Sequence, residues 1–201
     1  MQSIAPLFER YLTHFPGERD KLSRLARLIE ASATSDELIA RTNYTGHVTA
    51  SGFVVSADYA SVLLIHHRRL DMYLQPGGHL ERDDASPVEG ARREVREETG
   101  ISPARLVPAF SDGEVPFDID SHYIPPNPKK GEPEHWHHDF RYVFIAPDEA
   151  SLALAFDEVA AARWVPIENV RDYPTLADVG AKVSTLVRTL APLAESVTPP
   201  R

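Results

Sequence analysis

Through the first 45 residues, apolar side chains recur at helical spacing. Phe8, Tyr11, Leu12 and Phe15 fall at i, i+3, i+4 and i+7 and make one stripe. Pro16-Gly17 interrupts it. A second stripe follows through Leu22, Leu25 and Ile29, and Thr34 with Glu37 has capping-box spacing ahead of Leu38-Ile39. Three helices are therefore expected over residues 1–45. Such an N-terminal extension can be a dimerisation arm, making the protein a homodimer, or a cap over a pocket, or part of the core. From Gly46 the texture changes. HVTASGFVVS and SVLLIHHRR are rich in β-branched residues and separated by a short turn, which predicts a hairpin. A brief strand at MYLQ, a helix after Ser86, and strands near 104–110, 114–123, 135–146 and 161–166 follow. The tail from about Pro166 reads as helix, with Leu186, Val187 and Leu190 as buried positions. Strand runs broken by helices without regular βαβ alternation indicate an α+β fold, with residues 46–201 as the main domain.

Charge and composition narrow the function. The 201 residues carry a net charge of −9, which disfavours wholesale binding to nucleic acid or to an anionic membrane surface. No stretch reaches the roughly 18 apolar residues of a membrane span. The N-terminus meets an acid at Glu9 before any long apolar run, unlike a signal peptide. The chain has no cysteine, so disulfides, thiolate metal sites and cysteine nucleophiles are excluded. A soluble, cytoplasmic protein is the expectation.

The segment with most chemistry is GGHLERDDASPVEGARREVREETGI, residues 77–101. Ser86, Pro87 and Glu89 make a helix start, and Gly100 a stop. Val88, Ala91 and Val95 form an apolar stripe for packing on a sheet. Glu94, Glu97 and Glu98 sit at i, i+3 and i+4, so their carboxylates share a face. On a solvated surface, Arg93 would pair with Glu97. Yet Glu94 and Glu98 repel, and two of the acids lie near the negative end of the helix dipole. A divalent cation removes both penalties, and an all-oxygen donor set suits Mg²⁺ or Mn²⁺.

Gly78 through Ile101 resembles the Nudix box: a glycine, a spaced acid, then Arg-Glu-apolar-x-Glu-Glu-x-Gly-apolar. Arg93-Glu94-Val95-Arg96-Glu97-Glu98-Thr99-Gly100-Ile101 matches the second half at every specified position. In the first half Asp84 stands where Glu is usual, and the gap to Arg93 is one residue longer. The resemblance implies an α/β/α sandwich with a mixed sheet. It also implies metal-dependent hydrolysis of a diphosphate linkage in a nucleoside diphosphate derivative. Glu94, Glu97 and Glu98 would be metal ligands or close to them, with a carbonyl at Gly77 or Gly78 completing the shell. Glu94, Glu98 and Arg93 would be the catalytic residues, with Arg93 orienting the carboxylates. The general base would be Glu94 or an acid outside the box, Glu134, Asp157 or Glu158. A second reading is a catalytically silent nucleotide-binding module. An allylic diphosphate isomerase on the same general fold is discounted, because the related enzymes use a cysteine.

A second polar group lies at His-Trp-His-His-Asp, residues 135–139. In a strand His135, His137 and Asp139 share one face, as do Asp118, Asp120 and His122 in the preceding strand. These residues, with His79 beside the glycine pair, are candidates for lining a substrate cleft or, less simply, for holding a second metal. The Pro- and Lys-rich stretch 124–134 is long for a hairpin connection and would border that cleft.

Overall fold

The first apolar stripe becomes helix α1 (Ile4–His14), with Ile4, Leu7, Phe8, Tyr11 and Leu12 buried. The computed structural model describes residues 3–102, 105–110, 114–147 and 151–195. After α1 come α2 (Ser23–Ala31), α3 (Ser35–Ile39), β1 (His47–Val55), β2 (Ser61–His67), β3 (Met72–Leu74) and β4 (Gly77–His79). Helix α4 (Pro87–Thr99) is followed by β5 (Arg105–Val107), β6 (Asp118–Ile124), β7 (His135–Ile145), β8 (Val159–Pro166) and α5 (Ala177–Glu195). In α2 the buried positions are Leu25 and Leu28, while Ile29 is half-buried. Thr34 caps α3 by accepting from the Glu37 amide, and Glu37 reaches back to the Ala33 amide at 2.8 Å.

The chain forms two units. One takes in the chain to Gly52, Gly77–Glu94 and Phe110–Tyr142; the other takes in Phe53–Pro76, Val95–Ala109 and the chain from Val143. In the first unit β1 neighbours β7, β4 pairs antiparallel with β1, and β6 pairs antiparallel with β7. Thr49 lies opposite His79, and Asp120 and His122 lie opposite Asp139 and His137. Side chains directly opposite in a ladder share a face, so this register gathers the polar residues of four strands on one side. Arg24 of α2 stacks over Trp136, which belongs to the alternate set of β7 positions.

In the second unit β2 pairs antiparallel with β3, with β8 and with the end of β1, while β5 pairs with the end of β7. Strand β5 covers only 105–107; Pro108 cannot extend the ladder, and Ala104 of the expected strand lies outside the described residues. Strand β6 begins at Asp118 rather than 114, after Pro116, and β8 begins two residues early at Val159. Helix α5 buries Val179, Val183 and Val187 at intervals of four; Leu186 is half-buried, and the Leu190 side chain lies outside the described residues. No described helix is long and apolar enough to cross a membrane.

Candidate active site

Helix α4 starts at Pro87 behind Ser86 and ends before Gly100, whose φ of +76° is the left-handed conformation that glycine adopts at little cost. Val88, Ala91 and Val95 are buried along it. Glu94 and Glu98 are also buried, at 9% and 3% exposure, whereas Glu97 is exposed. All three stand on one uninterrupted helix.

Arg93 reaches beyond the helix as well as along it. Its Nε and Nη2 each donate to Asp84 at 3.0 Å, Nη1 donates to Glu94 at 2.9 Å, and Nη2 also donates to the His79 carbonyl at 2.8 Å. Against the cost of burial, the Asp84 hydrogen bonds and the Glu94 charge raise the guanidinium's affinity for its proton. Asp84, 8% exposed, accepts the Glu81 amide as well. Asp84 thus holds Arg93 in place while Arg93 aims Glu94, and the longer gap between the two residues leaves this fork intact.

Strand β4 needs its glycines. A Cβ at Gly77 would fall 2.3 Å from the Ser51 Cβ, and one at Gly78 would fall 2.8 Å from both Glu94 carboxylate oxygens. Successive residues of a strand point to opposite faces. Gly78 therefore turns its open side to Glu94, while the His79 ring lies 5.1 Å from His47 and 5.0 Å from His137 on the other face. A buried carboxylate over a side-chain-free backbone, with further carboxylates on its helix, is a donor set that fits a hard divalent cation.

The opposite face of β4 is an imidazole surface. His47, His79 and His137 form a near-equilateral triangle, with ring centroids 4.6–5.1 Å apart. His135 Nδ1 donates to the Pro133 carbonyl at 2.9 Å, and His135 Nε2 lies 3.2 Å from His137 Nε2. Burial, then the charges of the surrounding imidazoles, pushes His137 down to about 2. Burial first pushes His47 down to about 4. Both rings are neutral at physiological pH.

Asp139 shares this face with His137 but is buried in it. It is 5% exposed and accepts from Thr49 Oγ1 at 3.3 Å, Ser51 Oγ at 2.6 Å and Arg141 Nε at 3.2 Å. Arg141 also pairs with Asp118 at 3.0 Å and Asp120 at 3.3 Å. Despite burial, hydrogen bonding from His122 and the Arg141 charge pull Asp120 down to about 2. The sequence reading missed His47, Thr49, Ser51 and Arg141. A signal was present in the alternation of polar His47, Thr49 and Ser51 with apolar Val48 and Ala50 in β1.

Comparison with known proteins places this geometry. The family model described as NUDIX domain matches residues 45–186. Among solved structures, a Nudix-family hydrolase from Clostridium perfringens is 22% identical with a TM-score of 0.54, over 72% of this chain and 97% of that one. The E. coli dihydroneopterin triphosphate pyrophosphohydrolase is 15% identical with a TM-score of 0.54, over 71% and 95%. A C. elegans Ap4A hydrolase is 15% identical with a TM-score of 0.53, over 72% and 97%. At such identities these likenesses speak for the fold. No curated protein matches the sequence. The family match spans most of the chain and includes the Gly78–Ile101 box, and the fold is the expected α+β sandwich with a mixed sheet and N-terminal helices. The chain belongs to the Nudix family, as a Nudix-type enzyme.

Proposed function

We propose that the protein is a metal-dependent hydrolase that splits a diphosphate linkage in a nucleoside diphosphate derivative, with Mg²⁺ or Mn²⁺ as the ion. The observation that carries this reading is the Glu94 carboxylate set over the bare backbone of Gly78 and aimed by Arg93. Glu94, Glu97, Glu98 and the Gly78 backbone would hold the ion. Such an ion supplies neutralisation of phosphate charge and a lowered pKa for bound water. The chain's own contribution is position. Asp84 fixes Arg93, Arg93 fixes Glu94, and the glycine backbone of β4 lets the Glu94 carboxylate approach it closely. The general base is Glu94 or an acid outside the box, Glu134, Asp157 or Glu158.

Substrate recognition we assign to the imidazole face, with His79, His135 and His137 as contacts and Asp139 bracing its strands. His79 joins the two faces, its ring among the imidazoles and its carbonyl on Arg93. The Ap4A and dihydroneopterin triphosphate enzymes of the same fold act on phosphoanhydride compounds by name, in keeping with this substrate class. The reading also places the protein in the cytoplasm and has the N-terminal helices (residues 1–45) as an extension of a domain over 46–201. Mass spectrometry of products from a nucleotide panel in ¹⁸O water tests it, since label in a phosphate product locates the attacked phosphorus. Binding of nucleotides without turnover would instead mark a silent module.

A further inference from the structure

We propose that His47, His79 and His137 form a second metal site, selective for a nitrogen-seeking transition ion of the Zn²⁺ class and separate from the carboxylates of α4. One ring nitrogen from each residue lies within 4.8 Å of the other two. A tetrahedral zinc with Zn–N near 2.0–2.1 Å holds its nitrogens about 3.3 Å apart.

Three independent features favour an ion over a mere stack of rings. His47 is 1% exposed, and its Nε2 is buried with no hydrogen-bond partner among the described residues. Its Nδ1 lies 3.3 Å from the Asn43 carbonyl, which can only accept, so Nδ1 carries the proton and Nε2 the lone pair. An unsatisfied buried acceptor is costly unless something occupies it.

Second, hydrogen bonds fix the tautomer of His137 through His135. The Pro133 carbonyl takes the Nδ1 proton of His135, so in the neutral ring His135 Nε2 accepts from His137 Nε2. That leaves the lone pair of His137 on Nδ1. Carbonyl or side-chain acceptors on the far nitrogen are the usual outer shell of metal-bound histidines.

Third, the three residues come from three strands whose pairing is rigidly fixed. Thr49 opposite His79 sets β4 on β1. The hydroxyls of Thr49 and Ser51 on Asp139 tie β1 to β7. A site built on strands rather than loops holds its donors in register.

Three protein nitrogens leave a fourth position open for water or a phosphate oxygen. His79 and His137 then meet substrate through the ion, and His135 remains a hydrogen-bonding neighbour. The site takes no ligand from α4, whose nearest link to it is the Arg93 hydrogen bond to the His79 carbonyl.

The test uses the full chain without a polyhistidine tag, stripped of metal and titrated with Co²⁺ at neutral pH in excess Mg²⁺. The expected result is one equivalent bound with the intense visible absorption of a tetrahedral, nitrogen-ligated ion. His47→Ala and His137→Ala should each weaken that binding by about 100-fold or more, beyond the 10–100-fold typical of losing an outer-shell partner. Glu98→Gln and His66→Ala should leave it unchanged. If His47→Ala does not fold, His79→Gln, at a half-buried corner of the triangle, reads the same loss. A weak octahedral spectrum in the parent protein, displacement by Mg²⁺, or equal binding in the histidine variants would overturn the proposal.

Discussion

At the scale of single residues, charge and shape pull apart at Glu98. It is buried, four residues beyond Glu94, in the last turn of α4. Like charges at that spacing cost roughly 0.2–0.5 kcal/mol, and an acid near the C-terminal dipole costs roughly 0.3–1 kcal/mol. Glu98→Gln keeps the shape, so metal-free protein should melt slightly higher while turnover falls by about two orders of magnitude or more. Thermal unfolding with and without Mg²⁺, beside a nucleotide assay, reads both effects. Unchanged turnover would remove Glu98 from the ion's shell. Asp84 gives a prediction of the other sign. Asp84→Ala removes the fork but leaves Arg93 its bonds to Glu94 and the His79 carbonyl, a loss on the order of 1.5–3 kcal/mol. Denaturant unfolding checks it, and a change below about 1 kcal/mol would mean that the fork is slack. The arginine fork was not legible in sequence. Spacing along the helix offers Arg93–Glu97, whereas Asp84 comes from the preceding loop, where tertiary geometry brings the two together.

At the scale of elements, legibility followed periodicity. Helix α4 could be placed to the residue because Ser86-Pro87, the Val88–Ala91–Val95 stripe and Gly100 all agree. The β1–β2 hairpin was equally plain from its β-branched runs. Strand β4 was invisible: three residues, two of them glycine, pair with β1 only because the backbone can approach it there. That strand is what brings His79 to His47, so the triangle could not be read from spacing along the chain. The connection 124–134 is a further element with a stated consequence. It folds back on itself through an Asn127–Glu132 bridge and joins the two strands that carry the polar face. Replacing it with a tight turn should alter the ranking of kcat/KM among nucleotides while the circular dichroism spectrum stays that of the parent. Identical ranking and rates would make it a connector only.

For the whole molecule, the buried histidines set the response to acid. Burial first, then neighbouring positive charge, holds His47 and His138 down to about 4 and His137 to about 2, against 6.5 in an unfolded chain. Below pH 6.5 the unfolded chain binds protons that the folded one refuses, so folding stability declines as pH falls. The melting temperature of metal-free protein should be nearly level above pH 7 and drop between about pH 6.5 and 4. A level melting temperature down to pH 4 would contradict the burial of these rings. The net charge of −9 disfavoured bulk nucleic-acid binding, and the box pointed to the family and its chemistry, but neither foretold an imidazole surface spread over three strands. The most direct test of the central claim is hydrolysis of a panel of nucleoside diphosphate derivatives, with Mg²⁺, after chelation, and after Mg²⁺ is restored. The account predicts that at least one compound is split at its diphosphate linkage, that chelation abolishes this, and that Mg²⁺ restores it. Tight binding of the panel without turnover, or full turnover in verified absence of metal, would contradict it.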